Sequence, residues 1–133
     1  MTYDEIKKNK EICECLRKGD ENLGVLGYTD HSAAHCTMVA KRAAYILKKF
    51  GYSEEDIELV KIAGFMYDIG NVVNRKHHAE YGAILANEIL KKTDMSMKDR
   101  ITVVSAIGHH DESTGGATDP VSAALIIADK TDV

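Results

Sequence analysis

Apolar residues recur at three- and four-residue intervals along nearly the whole chain, the period of an amphipathic helix. Thr2-Tyr3-Asp4-Glu5 has the form of a capping box, and the helix it opens carries Ile6, Cys13 and Leu16 on one face and can end at Gly19. Residues 20–29 hold two glycines and read as a loop. A second helix is predicted from about Asp30 to Phe50, with Val39, Ala43, Ile46 and Phe50 as its apolar stripe. Ser53 opens a third, carrying Ile57, Val60 and Ala63 and ending near Asp68. A fourth spans about His77 to Lys92 with Ala83, Ile84, Leu85 and Ile89. A fifth, capped at Ser96, carries Ile101, Val104 and Ile107. A polar, Gly-rich stretch follows. Asp119-Pro120 then starts a sixth helix bearing Val121, Ala124, Leu125 and Ala128, because proline at a first helical position gives up no needed donor. No segment has the two-residue period of a strand. The expected fold is all-α: a compact single-domain bundle of about six helices over residues 1–133, with 1–29 as N-terminal helix and loop and 30–133 as the core.

Length and composition fit that reading. The 133 residues are 44% hydrophobic and 29% charged, enough for one soluble globular core. Seventeen basic against twenty-one acidic side chains leave a net charge of −4, a poor balance for binding a nucleic-acid polymer or an anionic membrane. No apolar run is long enough to span a bilayer, and the charged N-terminus lacks the apolar centre of a secretion signal. Cys13, Cys15 and Cys36 have neither redox nor zinc-knuckle spacing, which suits free thiols in a reducing cytoplasm. Cys13 is expected on an apolar face and Cys15 pointing away from it.

The histidines change the picture. All six come as pairs: His31 and His35, His77 and His78, His109 and His110. Imidazole is the commonest side-chain ligand of transition metals, and carboxylates complete such sites. His31 and His35 lie one turn apart on one helix face. Asp68 ends an apolar helix, and Asp129 follows the apolar run 123–128. Either acid is costly to bury without a cation or base beside it. The bland alternatives are an Asp68 that caps the next turn and an Asp129 that faces solvent beside Lys130. Ligands projecting inward from facing helices are how all-α domains build metal sites. A mixed N/O set points to Fe, Mn, Co, Ni or Zn.

In chain order, His35-Cys36-Thr37-Met38-Val39-Ala40, Tyr67-Asp68-Ile69-Gly70, His78-Ala79-Glu80-Tyr81-Gly82-Ala83, His109-His110-Asp111-Glu112 and Ala128-Asp129-Lys130 resemble the motifs of the HD-domain superfamily of metal-dependent phosphohydrolases. The resemblance spans residues 30–133. It implies that His35 is the first histidine ligand, Asp68 the aspartate of the "HD" doublet and Asp129 the distant final aspartate. In members holding more than one metal, including the HD-GYP group, further histidines ligate, and His78, His109 and His110 fill those places. His31 sits where some members carry an extra ligand. His77 lacks the H-x-x-x-G register that His78 makes with Gly82.

The sequence departs from the pattern at two places. Tyr67 stands where the doublet has histidine, and Asn71 stands where the HD-GYP group commonly has lysine. The Gly-Tyr-Pro signature is absent too, so that motif gives no support to cyclic dinucleotide hydrolysis. Tyr67 is open to three roles: a phenolate ligand to ferric iron, a packing residue, or the mark of a lost activity with a binding role kept.

The resemblance implies two divalent or mixed-valence transition-metal ions, iron or manganese first. Asp68 would bridge them. His35 and Asp129, with His31, would hold one, and His78, His109 and His110 the other. Asp68 and His110 are the expected catalytic residues. Arg75, Lys76 and Lys130 are candidate phosphate-binding cations, or else solvated surface groups. Asp111 and Glu112 are candidates for orienting the ligand histidines. The implied activity is hydrolysis of a small phosphorylated molecule or nucleotide, with a homodimer as a candidate assembly. The competing classes are a non-catalytic metal- or ligand-binding regulatory module and an iron-dependent oxidative enzyme.

Overall fold

The computed structural model describes residues 1–28, 32–111, 113 and 115–131. They form seven α-helices, α1 (Tyr3–Lys7), α2 (Lys10–Val25), α3 (Ala33–Lys49), α4 (Glu54–Met66), α5 (His78–Leu90), α6 (Met97–Gly108) and α7 (Pro120–Lys130), with one 3₁₀ turn, Ile69–Val72, and no strand among them. The all-α expectation therefore holds.

The N-terminal region differs from expectation. The predicted single helix is two, because the Asn9 side chain accepts from the Ile12 amide and starts a new helix there. Gly19 does not end it, and α2 runs to Val25 through most of the predicted loop. Gly19 serves close approach instead: a Cβ there would stand 3.1 Å from the Val72 nitrogen on the 3₁₀ turn.

Six of the seven helices begin with a side chain accepting a backbone amide: Thr2, Asn9, Ser32, Ser53, Ser96 and Asp119. The exception is α5, preceded by His77 in the left-handed region at φ 61°. There no side chain caps the helix, and the turn into it is closed by the His78 amide donating to the Arg75 carbonyl at 3.2 Å.

Helix α4 is central. It packs against α1, α3, α6 and α7, while α5 packs on α6 and the 3₁₀ turn. Ile57, Val60, Ala63, Ile107, Val121, Ala124, Leu125 and Ala128 are buried as the apolar pattern predicts. Phe50, Ile84 and Ile101 are exposed instead. Phe50 is the C-cap of α3, where the helical direction of the side chain is lost. Ile84 and Ile101 line an outward groove between α5 and α6. Cys15 does not point away: both Cys13 and Cys15 pack partly against the core, and burial pushes the Cys15 thiol upward in pKa. None of the three cysteines forms a disulfide. No helix among the described residues is long and apolar enough to cross a membrane.

Two glycine contacts position the site. A Cβ on Gly64 of α4 would stand 2.7 Å from the Ala40 Cα, so α3 and α4 touch backbone to backbone just before Tyr67 and just after His35. Gly82 of α5 would bring a Cβ to 3.2 Å from the Gly70 nitrogen, which seats the 3₁₀ turn on α5.

Candidate metal centre

Asp68 follows the last turn of α4 and precedes the 3₁₀ turn, yet its side chain makes no cap hydrogen bond. The capping alternative therefore fails. The carboxylate is 4% exposed and turns inward, with Oδ1 3.6 Å from His78 Nε2, 3.8 Å from His110 Nε2 and 3.8 Å from an Arg75 nitrogen. Ligand atoms of Asp68, His78 and His110 all lie within 4.8 Å of one another, and all three residues are buried.

The two imidazoles show what the cluster suits. His78 Nδ1 lies 3.0 Å from the Arg75 carbonyl, and His110 Nδ1 lies 2.6 Å from the Ile107 carbonyl. A carbonyl only accepts, so each Nδ1 carries the hydrogen and each Nε2 of a neutral ring presents a lone pair. Those Nε2 atoms face each other at 3.1 Å. Two lone pairs at that distance need a proton or a cation between them. A backbone carbonyl fixing the far nitrogen is also how protein sites orient metal-ligating histidine. Two imidazole nitrogens and a carboxylate oxygen, buried and convergent, fit a divalent transition metal.

His78 has a pKa below the usual 6.5 because burial and the nearby Arg75 guanidinium disfavour imidazolium. The unfolded chain then takes the proton first on acidification, so this group costs the metal-free fold stability as pH drops below about 6.5 and has no such effect above it. The Tm of the metal-free protein is expected to fall on that acid limb, and His78→Gln should flatten part of the slope. An unchanged slope in the variant would remove His78 as a source.

The remaining residues divide. His35 Nε2 lies 2.9 Å from Tyr67 Oη, and that hydroxyl donates to Asp129 Oδ1 at 2.8 Å. Asp129 is thus tied to Tyr67 and not simply solvent-facing. Burial first, then the Asp68 and Asp129 charges, push the Tyr67 phenol far up in pKa. Its ring stands edge-on to His110 with centroids 4.9 Å apart. His109 sits apart from the expected ligand set. It bonds through Nδ1 to the Ser105 carbonyl at 2.9 Å and lines the outward groove with Ile84 and Ile101. Adjacent residues at a helix end diverge in direction, so His110 turns in where His109 turns out. His77 is exposed and pairs with Glu80 at 3.1 Å. His31 and Glu112 lie outside the described residues.

A pocket of about 240 Å³ opens over the cluster, lined by Asp68, Arg75, His78, His110, Asp111, Ser113, Asp129 and Lys130. Lys76 is exposed and is not among them. The Asp111 carboxylate accepts from the Ser113 amide and hydroxyl, which lower its pKa and keep it ionised. Asn71 has a part that sequence reading did not assign. Its Oδ1 accepts from Arg75 at 3.2 Å and steadies the guanidinium beside the pocket; the spacing of four was the available signal.

A family model of the HD domain matches residues 32–133. An uncharacterised protein from Methanocaldococcus jannaschii is 30% identical over 156 aligned positions, which cover all of this chain and 60% of that protein. A crystal structure of a predicted HD superfamily hydrolase from an uncultured Thermotogales bacterium superposes with a TM-score of 0.70 at 22% identity, over 91% of this chain and 66% of that one. The chain therefore spans less than two thirds of each. The helical order, the inward Asp68 and the match across most of the sequence together place this chain in the HD-domain family.

Proposed function

We propose that the chain is a metal-dependent phosphohydrolase acting on a small phosphoester such as a nucleotide. The observation that carries this reading is the pair of Nε2 atoms facing each other at 3.1 Å beside a buried carboxylate. Asp68, His78 and His110 hold the ion. When bound, it supplies Lewis acidity, acidifying water and offsetting charge that develops on the phosphoryl oxygens.

The rest of the pocket supports an anionic substrate only if a cation is present. Its lining has three carboxylates against Arg75 and Lys130, so without an ion the balance repels phosphate. Arg75 is aimed by Asn71 and Lys130 stands at the end of α7; these two cations bind and orient the phosphate. Asp111, kept ionised by Ser113, acts as an acceptor and not as a proton donor. A phosphoryl group fits the pocket of about 240 Å³, and because the pocket is open to solvent the rest of the substrate can extend outside it.

The test is elemental analysis of the purified chain together with phosphate release from a panel of phosphomonoesters and nucleotides with Mn²⁺ or Fe²⁺. Metal-dependent release, lowered at least tenfold by Arg75→Ala, supports the reading. Bound metal with no turnover across the panel supports a binding module, and an oxygen-dependent spectral change with iron supports oxidative chemistry.

A further inference from the structure

A second convergence of imidazole and carboxylate exists in this fold, and it is already filled by a side chain. His35 comes from α3 and Asp129 from α7, yet both reach one atom, Tyr67 Oη, at 2.9 and 2.8 Å. The hydroxyl donates to Asp129, which leaves its lone pair to accept from His35 Nε2. That nitrogen then carries the hydrogen and has no lone pair to offer an ion. Tyr67 is 1% exposed and packed against His110.

The contrast with the neighbouring cluster is chemical. At His78 and His110 two acceptors face each other and need a positive partner between them. At His35, Tyr67 and Asp129 each donor meets an acceptor, so the set is satisfied as it stands. An ion entering there would have to break two hydrogen bonds and displace a buried ring.

We infer that the Tyr67 hydroxyl takes the place of a cation between His35 and Asp129, so that the chain carries one metal ion, at Asp68, His78 and His110, instead of two. This rests on the proposed metal role of that cluster. The tyrosine makes His35 and Asp129 a hydrogen-bonded strut across the site, not ligands.

The experiment is a count of Mn²⁺ per full-length chain by equilibrium dialysis and elemental analysis, without reference to activity. The parent should bind one ion, and His110→Ala should abolish it. His35→Ala and Asp129→Asn, each in the parent background, should leave the count at one. Tyr67→His replaces the blocking hydroxyl with a shorter side chain bearing a ligating nitrogen, and should add one ion. Adding His35→Ala to it should remove that extra ion. The baseline count reports on the Asp68 cluster and the increment reports on Tyr67, so a parent that binds nothing sinks the first reading, while a rise on Tyr67→His still upholds the second.

A parent binding two ions, one of them lost in His35→Ala or Asp129→Asn, overturns the inference. So does a folded Tyr67→His protein whose count does not rise. If Tyr67→His does not fold, the two single variants decide the question. A visible phenolate-to-iron band in the ferric-loaded parent, absent in Tyr67→Phe, overturns it independently.

Discussion

Asp68→Asn is expected to strip the chain of its metal, leaving about a tenth or less of the parent content. The change keeps the shape of the side chain but replaces one accepting carboxylate oxygen with a donating NH2 group and removes the charge, so packing is preserved while the anionic ligand is lost. Losing an outer hydrogen-bond partner of a metal ligand already costs about 10–100-fold in affinity or activity. If Asp68 ligates the ion directly, as proposed, the loss of this carboxylate, 4% exposed and 3.6 and 3.8 Å from the two imidazoles, should cost more. Binding to the folded state alone also stabilises it: free Mn²⁺ at about a hundredfold over its Kd contributes about 2.7 kcal/mol, a Tm rise on the order of 10 °C for a domain of this size. Differential scanning fluorimetry with and without Mn²⁺ reads this directly. The parent should show the rise and Asp68→Asn should not. A variant that keeps both its metal and its Tm shift would take Asp68 out of the centre.

Gly70→Ala is expected to be the most damaging single methyl in the chain. A Cβ at Gly70 would overlap the His78 carbonyl oxygen and stand 2.6 Å from the Gly82 nitrogen. Both obstacles are backbone, so no side-chain rotation relieves them. The 3₁₀ turn would have to leave α5, pulling Asp68 away from His78. A loss of roughly 4 kcal/mol or more is expected, or no folded protein at all, in the exceptional range for one substitution. Metal content should fall with it. Gly116→Ala is the control, since a Cβ there meets nothing within 4 Å. Urea denaturation of both variants gives the comparison, and a Gly70→Ala protein within about 1 kcal/mol of the parent, on the order of a single lost hydrogen bond, would show that the turn does not rest on the α5 backbone at Gly70.

Legibility in the sequence followed the range of the interactions involved. The helical period, the caps at Ser53, Ser96 and Asp119 and the burial of Asp68 are local or near-local, and residue types and spacing announce them. The Asn9 cap was legible in the same way, since Asn precedes Ile12 by the three residues that capping needs, but the longer apolar pattern masked it. Gly19 carries the same letter whether it ends a helix or lets another backbone approach, and only the 3₁₀ turn against it decides. The histidine pair at 109 and 110 is similar: chemistry marks both, and the way the chain leaves α6 selects His110. Ile84 and Ile101 obey helical periodicity yet lie on a groove no described element covers. The Tyr67 link needed three helices in place before it could be seen.

That link has a consequence for how the chain closes on itself. Asp68, His78 and His110 span residues 68–110, whereas the bonds through Tyr67 join residue 35 to residue 129, more than twice the separation. Loop-closure entropy rises only with the logarithm of length, about 0.6 kcal/mol per doubling. For that small added cost, the phenol clasps the first long helix of the matched region to the last one, and chain topology is pinned at the point where the pocket opens.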